Sequence, residues 1–107
     1  MNIREIREKF SSDEYEISFH AEKERYAEDI KNSDIENVIS NCEIIEVYPD
    51  DPRGTSCLIL GYSEERPIHI VCGFTLIKWL RIITFYIPKL PKWIDERTRA
   101  KEGGSDA

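Results

Sequence analysis

Few side chains in this 107-residue chain suit proton transfer at neutral pH. Histidine is the type whose ordinary pKa, about 6.5, lies nearest working conditions, and there are two, His20 and His69. His69 lies between Ile68 and Ile70 in the apolar run 66–72 (RPIHIVC), and a second run, 79–87 (WLRIITFYI), carries Arg81, Thr84 and Tyr86 among isoleucines and Phe85. Strict alternation in a strand puts Thr84 and Tyr86 on one face and Arg81 on the other, unless a bulge intervenes. Ordinary structural roles stand beside the chemical ones. His20 falls at a strand–helix junction, where a cap or turn hydrogen bond suits it. His69 fits a half-buried strand position, and Thr84 and Tyr86 fit strand propensity.

The elements that must position these residues follow from periodicity. Ile3, Ile6 and Phe10 mark an amphipathic helix over 2–10, and 15–19 alternates Tyr15, Ile17 and Phe19 with Glu16 and Ser18, as a short edge strand does. A thin apolar stripe of Tyr26, Ala27 and Ile30 predicts a helix over 20–31. Ser33 and Glu36 form a capping-box pattern that opens a helix carrying Ile35, Val38, Ile39 and Cys42. From Glu43 the period shortens: EIIEVY and TSCLILGY are strands around the turn PDDPRG, and 66–73 and 79–87 follow. The order predicts one α+β domain over 1–101, with N-terminal helices packed on one face of a roughly four-stranded antiparallel sheet. WIDERTRAK (93–101) reads as a basic final helix or an extended arm, and 102–107 as a disordered or expression-derived tail.

Composition bounds the partners. No apolar run approaches the roughly 18 residues of a membrane helix and the first residues carry no signal, so a cytoplasmic protein without membrane contact is expected. Cys42, Cys57 and Cys72 are widely spaced in apolar surroundings and read as buried thiols; no metal or other cofactor is implied. The net charge of −6 is unevenly spread: 1–65 holds 7 Lys/Arg against 17 Asp/Glu, and 66–101 holds 8 against 2. An acidic half and a basic half predict a polar molecule.

The ensemble ISFHAEKER (17–25), the I-x-N-V-I helix with EIIEVYPDD (35–51), LILGY, RPIHIVCG and IITFYIPKLPKW resembles the bacterial family known as domain of unknown function 4258, over residues 15–99. That family is similar to the RelE-like group of small toxins, in the ribonuclease fold shared by barnase and RelE, and its genes often neighbour a zinc-finger, helix-turn-helix antitoxin. The resemblance implies a toxin component that cleaves RNA, on the ribosome or free, without a metal, by attack of the ribose 2′-hydroxyl on phosphate. It maps the family motif onto His20 with Arg25, His69, Thr84 with Tyr86, and Trp93 with Arg97 and Arg99.

Such cleavage needs a base for the 2′-hydroxyl, an acid for the leaving 5′-oxygen and cations for the phosphate. His20 and His69 are the proton-transfer candidates. Tyr86 replaces one as acid or orients the phosphate, and Thr84 hydrogen-bonds a phosphate oxygen. Arg25, Arg66, Arg81, Arg97 and Arg99 are the candidate phosphate-binding cations. A second reading from another class keeps the fold but not the reaction: a non-catalytic module that docks a protein or RNA partner. A metal-dependent nuclease is the weakest reading, because the acidic residues show no recognisable ligand set.

Overall fold

The computed structural model describes residues 1–101, and the tail expected at 102–107 lies outside the described residues. The elements in order are α1 (Ile3–Ser11), β1 (Tyr15–Ile17), α2 (Phe19–Ala27), α3 (Asn32–Asn41), β2 (Glu43–Tyr48), β3 (Ser56–Ser63), β4 (Arg66–Phe74), β5 (Leu80–Tyr86), β6 (Trp93–Asp95) and β7 (Thr98–Arg99). The architecture is α+β. The sheet corrects the expectation: it has five strands in the order β1-β5-β4-β3-β2, and β1 runs parallel to β5 while the other pairs are antiparallel. A period of two identifies a strand but carries no information about a partner more than sixty residues away, so neither the pairing nor the direction of β1 was written locally.

Two bulges decide which side chains share a face. Cys72 pairs Ile82 and Val71 pairs Thr84, leaving Ile83 as the extra residue; Ile45 plays the same part between β2 and β3. Leu80, Ile82 and Phe85 therefore all join the helix-side core, with Ile6, Ala21, Val38, Ile59 and Ile70. Past the bulge, Thr84 and Tyr86 turn to the opposite face, on the same side as Arg81, so strict alternation is broken where the chemistry-bearing residues lie.

Local signals elsewhere are overridden by tertiary partners. The helix expected from Ser33 begins earlier: Asp34, not Glu36, reaches back to accept the Lys31 N–H at 2.8 Å. Asp34 is almost buried, and it also accepts from the Ser63 hydroxyl at 2.6 Å and from Arg66 at 3.2 Å. Burial pushes its carboxyl up, but these donors outweigh that and hold it below the usual range. Gly61 lets α3 approach β3, since a Cβ there would lie 2.5 Å from the Val38 carbonyl oxygen.

The tail 93–101 forms the antiparallel hairpin β6–β7 instead of a helix. Trp93 is 2% exposed, and Leu58, Leu60 and His69, which lie outside the helix-side core, are also buried. The sheet is thus covered on both faces.

The charge division also closes on itself. Asp34–Arg66, Glu16–Arg81, Glu28–Lys89, Glu43–Arg97 and Glu46–Arg99 each join the acidic half to the basic half. The expected polar molecule is a property of chain order, and folding interleaves the two signs.

Candidate active site

The link between β1 and α2 builds the first part of the site. After β1 ends, Ser18 continues the edge of β5: its N–H donates to the Ile82 carbonyl at 2.9 Å and its hydroxyl to the Ile83 carbonyl at 2.9 Å. The same hydroxyl accepts the Ala21 N–H at 3.0 Å, so Ser18 is also the N-cap of α2. One turn on, Glu24 takes the next edge donor: its Oε1 accepts the Phe85 N–H at 3.1 Å and the Thr84 hydroxyl. Its Oε2 lies 3.3 Å from His20 Nε2. His20 is the second residue of α2, and its side chain is 68% exposed. The result is a continuous line of polar groups, His20, Glu24 and Thr84, from solvent to the sheet.

Tyr86 and His69 form the second part, two residues further along the same face as Thr84. They are direct cross-strand partners, with ring centroids 5.1 Å apart. Trp93 packs edge-on against His69 at 4.5 Å. His69 Nε2 donates to the Glu96 carbonyl at 2.8 Å, which fixes the proton on that nitrogen and leaves Nδ1 buried with no hydrogen-bond partner. Burial pushes the His69 pKa down, only partly opposed by that hydrogen bond. Burial also raises the Tyr86 phenol, which keeps its proton at neutral pH. His69 is therefore a sealed, neutral ring behind Tyr86.

The five candidate arginines are all engaged. Arg25 donates to the Ile30 carbonyl and lies 3.6 Å from Glu22, at the foot of α2. Arg66 ties the β3–β4 turn to Asp34 and to the Glu28 and Asp29 carbonyls. Arg81 approaches Glu16 at 3.7 Å, at the far end of β5 from Tyr86. Arg97 pairs with Glu43. Arg99 makes two bonds to Glu46, at 2.8 and 2.9 Å, and lies over the Trp93 ring at 4.5 Å. The structure brings His20 to Thr84 and His69 to Tyr86, sets Arg99 against Trp93 behind them, and holds Arg25 and Arg66 in the frame of the fold.

Glu24 is the site residue that sequence reading passed over. The signal was present in HAEKE: a carboxylate four residues after a histidine shares its helix face. Among Glu22, Glu24 and Glu28 the sequence does not single it out; the bulge does, by bringing Thr84 and the Phe85 N–H to it.

Two surface hollows lie elsewhere. One of about 960 Å³ is lined by residues of α1, α3 and the start of β1, and one of about 710 Å³ by residues around the β4–β5 turn, including Arg81. Among the described residues no cluster of three or more His, Cys, Asp or Glu is placed to hold a metal ion, and no helix is long and apolar enough to cross a membrane.

Fold and site together define a small α+β protein with a histidine–carboxylate pair at one edge of a mixed five-stranded sheet. Residues 17–87 match the family described as Domain of unknown function (DUF4258), and the chain belongs to that family. No curated protein and no solved structure matches. The matched span contains His20, Glu24, Arg25, Arg66, His69, Arg81, Thr84 and Tyr86; it is shorter than the expected 15–99 and leaves Trp93, Arg97 and Arg99 outside.

Proposed function

We propose that the chain is a RelE-like, RNA-cleaving toxin that works in the cytoplasm without a metal and is held in check by an antitoxin, for which the family resemblance suggests a zinc-finger, helix-turn-helix protein. The observation that carries this reading is the line His20–Glu24–Thr84, which gives an exposed imidazole an oriented carboxylate beside it. Glu24 favours the His20 tautomer with its proton on Nε2, so Nδ1 holds the free lone pair. That nitrogen takes the 2′-hydroxyl proton as the 2′-oxygen attacks phosphorus. The 5′-oxygen leaves with a proton from Tyr86, whose burial keeps the phenol protonated, and a 2′,3′-cyclic phosphate remains. Thr84 orients Glu24, and His69 packs behind Tyr86 and positions its ring. Arg99 is the candidate arginine grouped with Tyr86 through the His69–Trp93 cluster, and it serves the phosphate by exchanging the Glu46 carboxylate for it. Arg81 is five residues along β5, about 17 Å by strand rise, and contacts the substrate away from the cleaved bond.

The test is cleavage of RNA by the purified protein in a chelator, beside His20→Ala, whose exposure leaves the fold intact. Wild-type cleavage to cyclic-phosphate ends, and a rate lower by about 100-fold or more in the variant, is the expected result. Equal rates, or RNA left intact by the wild type both alone and with ribosomes added, overturns the reading. The pairing of all five arginines within the chain favours a second reading, a non-catalytic module that docks a protein or RNA partner. Under it, induction in bacteria leaves growth and total RNA unchanged.

A further inference from the structure

The outward face of α2 carries a feature that the catalytic line does not use. Phe19 and Tyr26 are 81% and 79% exposed, although both are large aromatic residues of a regular helix. They stand at i and i+7, with Lys23 at i+4, so the three share one stripe. The Lys23 Nζ lies 5.7 Å from the Phe19 ring centroid. His20 is the next residue round the helix from Phe19, by about 100°, so the stripe borders the exposed imidazole.

Charge separates a nucleic-acid surface from an ordinary apolar one here. Three carboxylates of α2 and its C-terminal cap are occupied, Glu22 by Arg25, Glu24 by Thr84, the Phe85 N–H and His20, and Glu28 by Lys89, while the next residue, Asp29, belongs to no ion pair among the described residues. Among the described residues Lys23 belongs to no ion pair. The stripe therefore offers two exposed rings and, between them, one cation that belongs to no ion pair and lies over the Phe19 ring. Aromatic faces stack on unpaired bases of any sequence, and an interleaved cation takes the phosphate that joins them. Seven residues of helix set the two Cα atoms about 10.5 Å apart along the axis, an offset that an extended single strand spans and a rigid duplex with its bases stacked inside does not offer.

We infer that the stripe Phe19–Lys23–Tyr26 is a stacking platform for single-stranded RNA, feeding the strand to His20. The choice of RNA as ligand rests on the ribonuclease reading above. The platform sets substrate class, single strands over duplexes, and it acts in binding and not in the proton transfers.

The experiment is fluorescence anisotropy of a labelled 2′-O-methyl oligouridine of about ten nucleotides, a length within the range of single-strand binding sites. Its blocked 2′-oxygens prevent cleavage, so affinity is read on the wild-type protein independently of the reaction. Phe19→Ala and Tyr26→Ala are each expected to weaken binding by about fivefold or more, and the double variant by about 25-fold or more. Phe19→Tyr and Tyr26→Phe keep a ring and are expected to bind as the wild type does. Lys23→Glu is expected to weaken binding most at low salt. Equal unfolding midpoints across the set exclude a general loss of fold. Absence of wild-type binding, or unchanged affinity in the double variant, overturns the inference. So does a sedimentation shift from dimer to monomer in the double variant with RNA affinity unchanged, which makes the stripe a contact between two copies. Binding through the stripe with no cleavage of ordinary RNA overturns the ribonuclease reading and leaves this one standing. Cleavage that depends on His20 with a stripe-independent affinity does the reverse.

Discussion

Replacing Glu24 tests the junction of α2 and β5 as fold and as chemistry at once. In Glu24→Ala the Phe85 N–H and the Thr84 hydroxyl both lose their acceptor, the same Oε1. A hydrogen bond to a charged group is worth about 1.5–3 kcal/mol. The Glu24 side chain is 29% exposed, so water recovers part of the loss, and about 2 kcal/mol is the expected net destabilisation. With an unfolding entropy near 2.1 cal/mol/K per residue, that lowers the melting temperature of a chain of this size by about 9 °C. Glu24→Gln retains a carbonyl oxygen for both donors but not the charge, and a neutral bond is about half as strong, so about 1 kcal/mol is lost. That variant keeps the fold while releasing His20 from its carboxylate, so cleavage is expected to fall about tenfold or more although the protein stays folded. Chemical denaturation and a cleavage assay on the same samples give both readouts. A Glu24→Ala protein within about 0.5 kcal/mol of wild type refutes the role of Glu24 in holding β5, because the loss expected for an unmet donor is larger. Full cleavage by a folded Glu24→Gln refutes its role in orienting His20.

Acid is expected to weaken the fold through His69. Its folded pKa lies below the unfolded value of about 6.5, so the unfolded state binds the extra proton first; the stability it contributes is complete above about pH 6.5 and declines as pH falls toward the lowered folded value. Thermal unfolding of the wild type against His69→Gln over this window should show the difference between them narrowing on acidification, and a constant difference sinks the argument. Gly61→Ala is expected to cost about 1–3 kcal/mol, because its Cβ meets the Val38 backbone oxygen at 2.5 Å and neither β3 nor α3 has a flexible group there to yield. A denaturation midpoint equal to wild type is the contrary result.

The sequence displayed what is local. The apolar spacing of Ile35, Val38 and Ile39 placed α3, and the turn PDDPRG separated β2 from β3, because backbone period and turn chemistry act within a few residues. Features that depend on distant partners were not legible. The parallel pairing of Tyr15 with Leu80 is one, and the choice of Asp34 over Glu36 at the start of α3 is another, settled by Ser63 and Arg66. Ile83 is the clearest case: no residue type in IITFY announces a bulge, yet that one extra residue puts Thr84 within reach of Glu24 and sets Arg81 on the face of Tyr86. His20 and His69 were visible as chemical types, but their difference in exposure came only from the fold: one stands in solvent and the other under Trp93.

The hairpin β6–β7 also gives the molecule an order of completion. All five strands of the sheet exist once Tyr86 has been synthesised, and the helices are already available for one of its faces. The other face, with Leu58, Leu60 and His69, still lacks Trp93 against His69 and the pairing of Arg97 and Arg99 with Glu43 and Glu46. A nascent chain paused between these points displays an oily, half-dressed sheet, the type of surface that chaperones bind and that aggregates when they do not. The closing stitch is thus made by Arg97 and Arg99 on acidic side chains translated some fifty residues earlier, and a premature stop after the sheet is expected to yield an insoluble product, not a shorter version of the same fold.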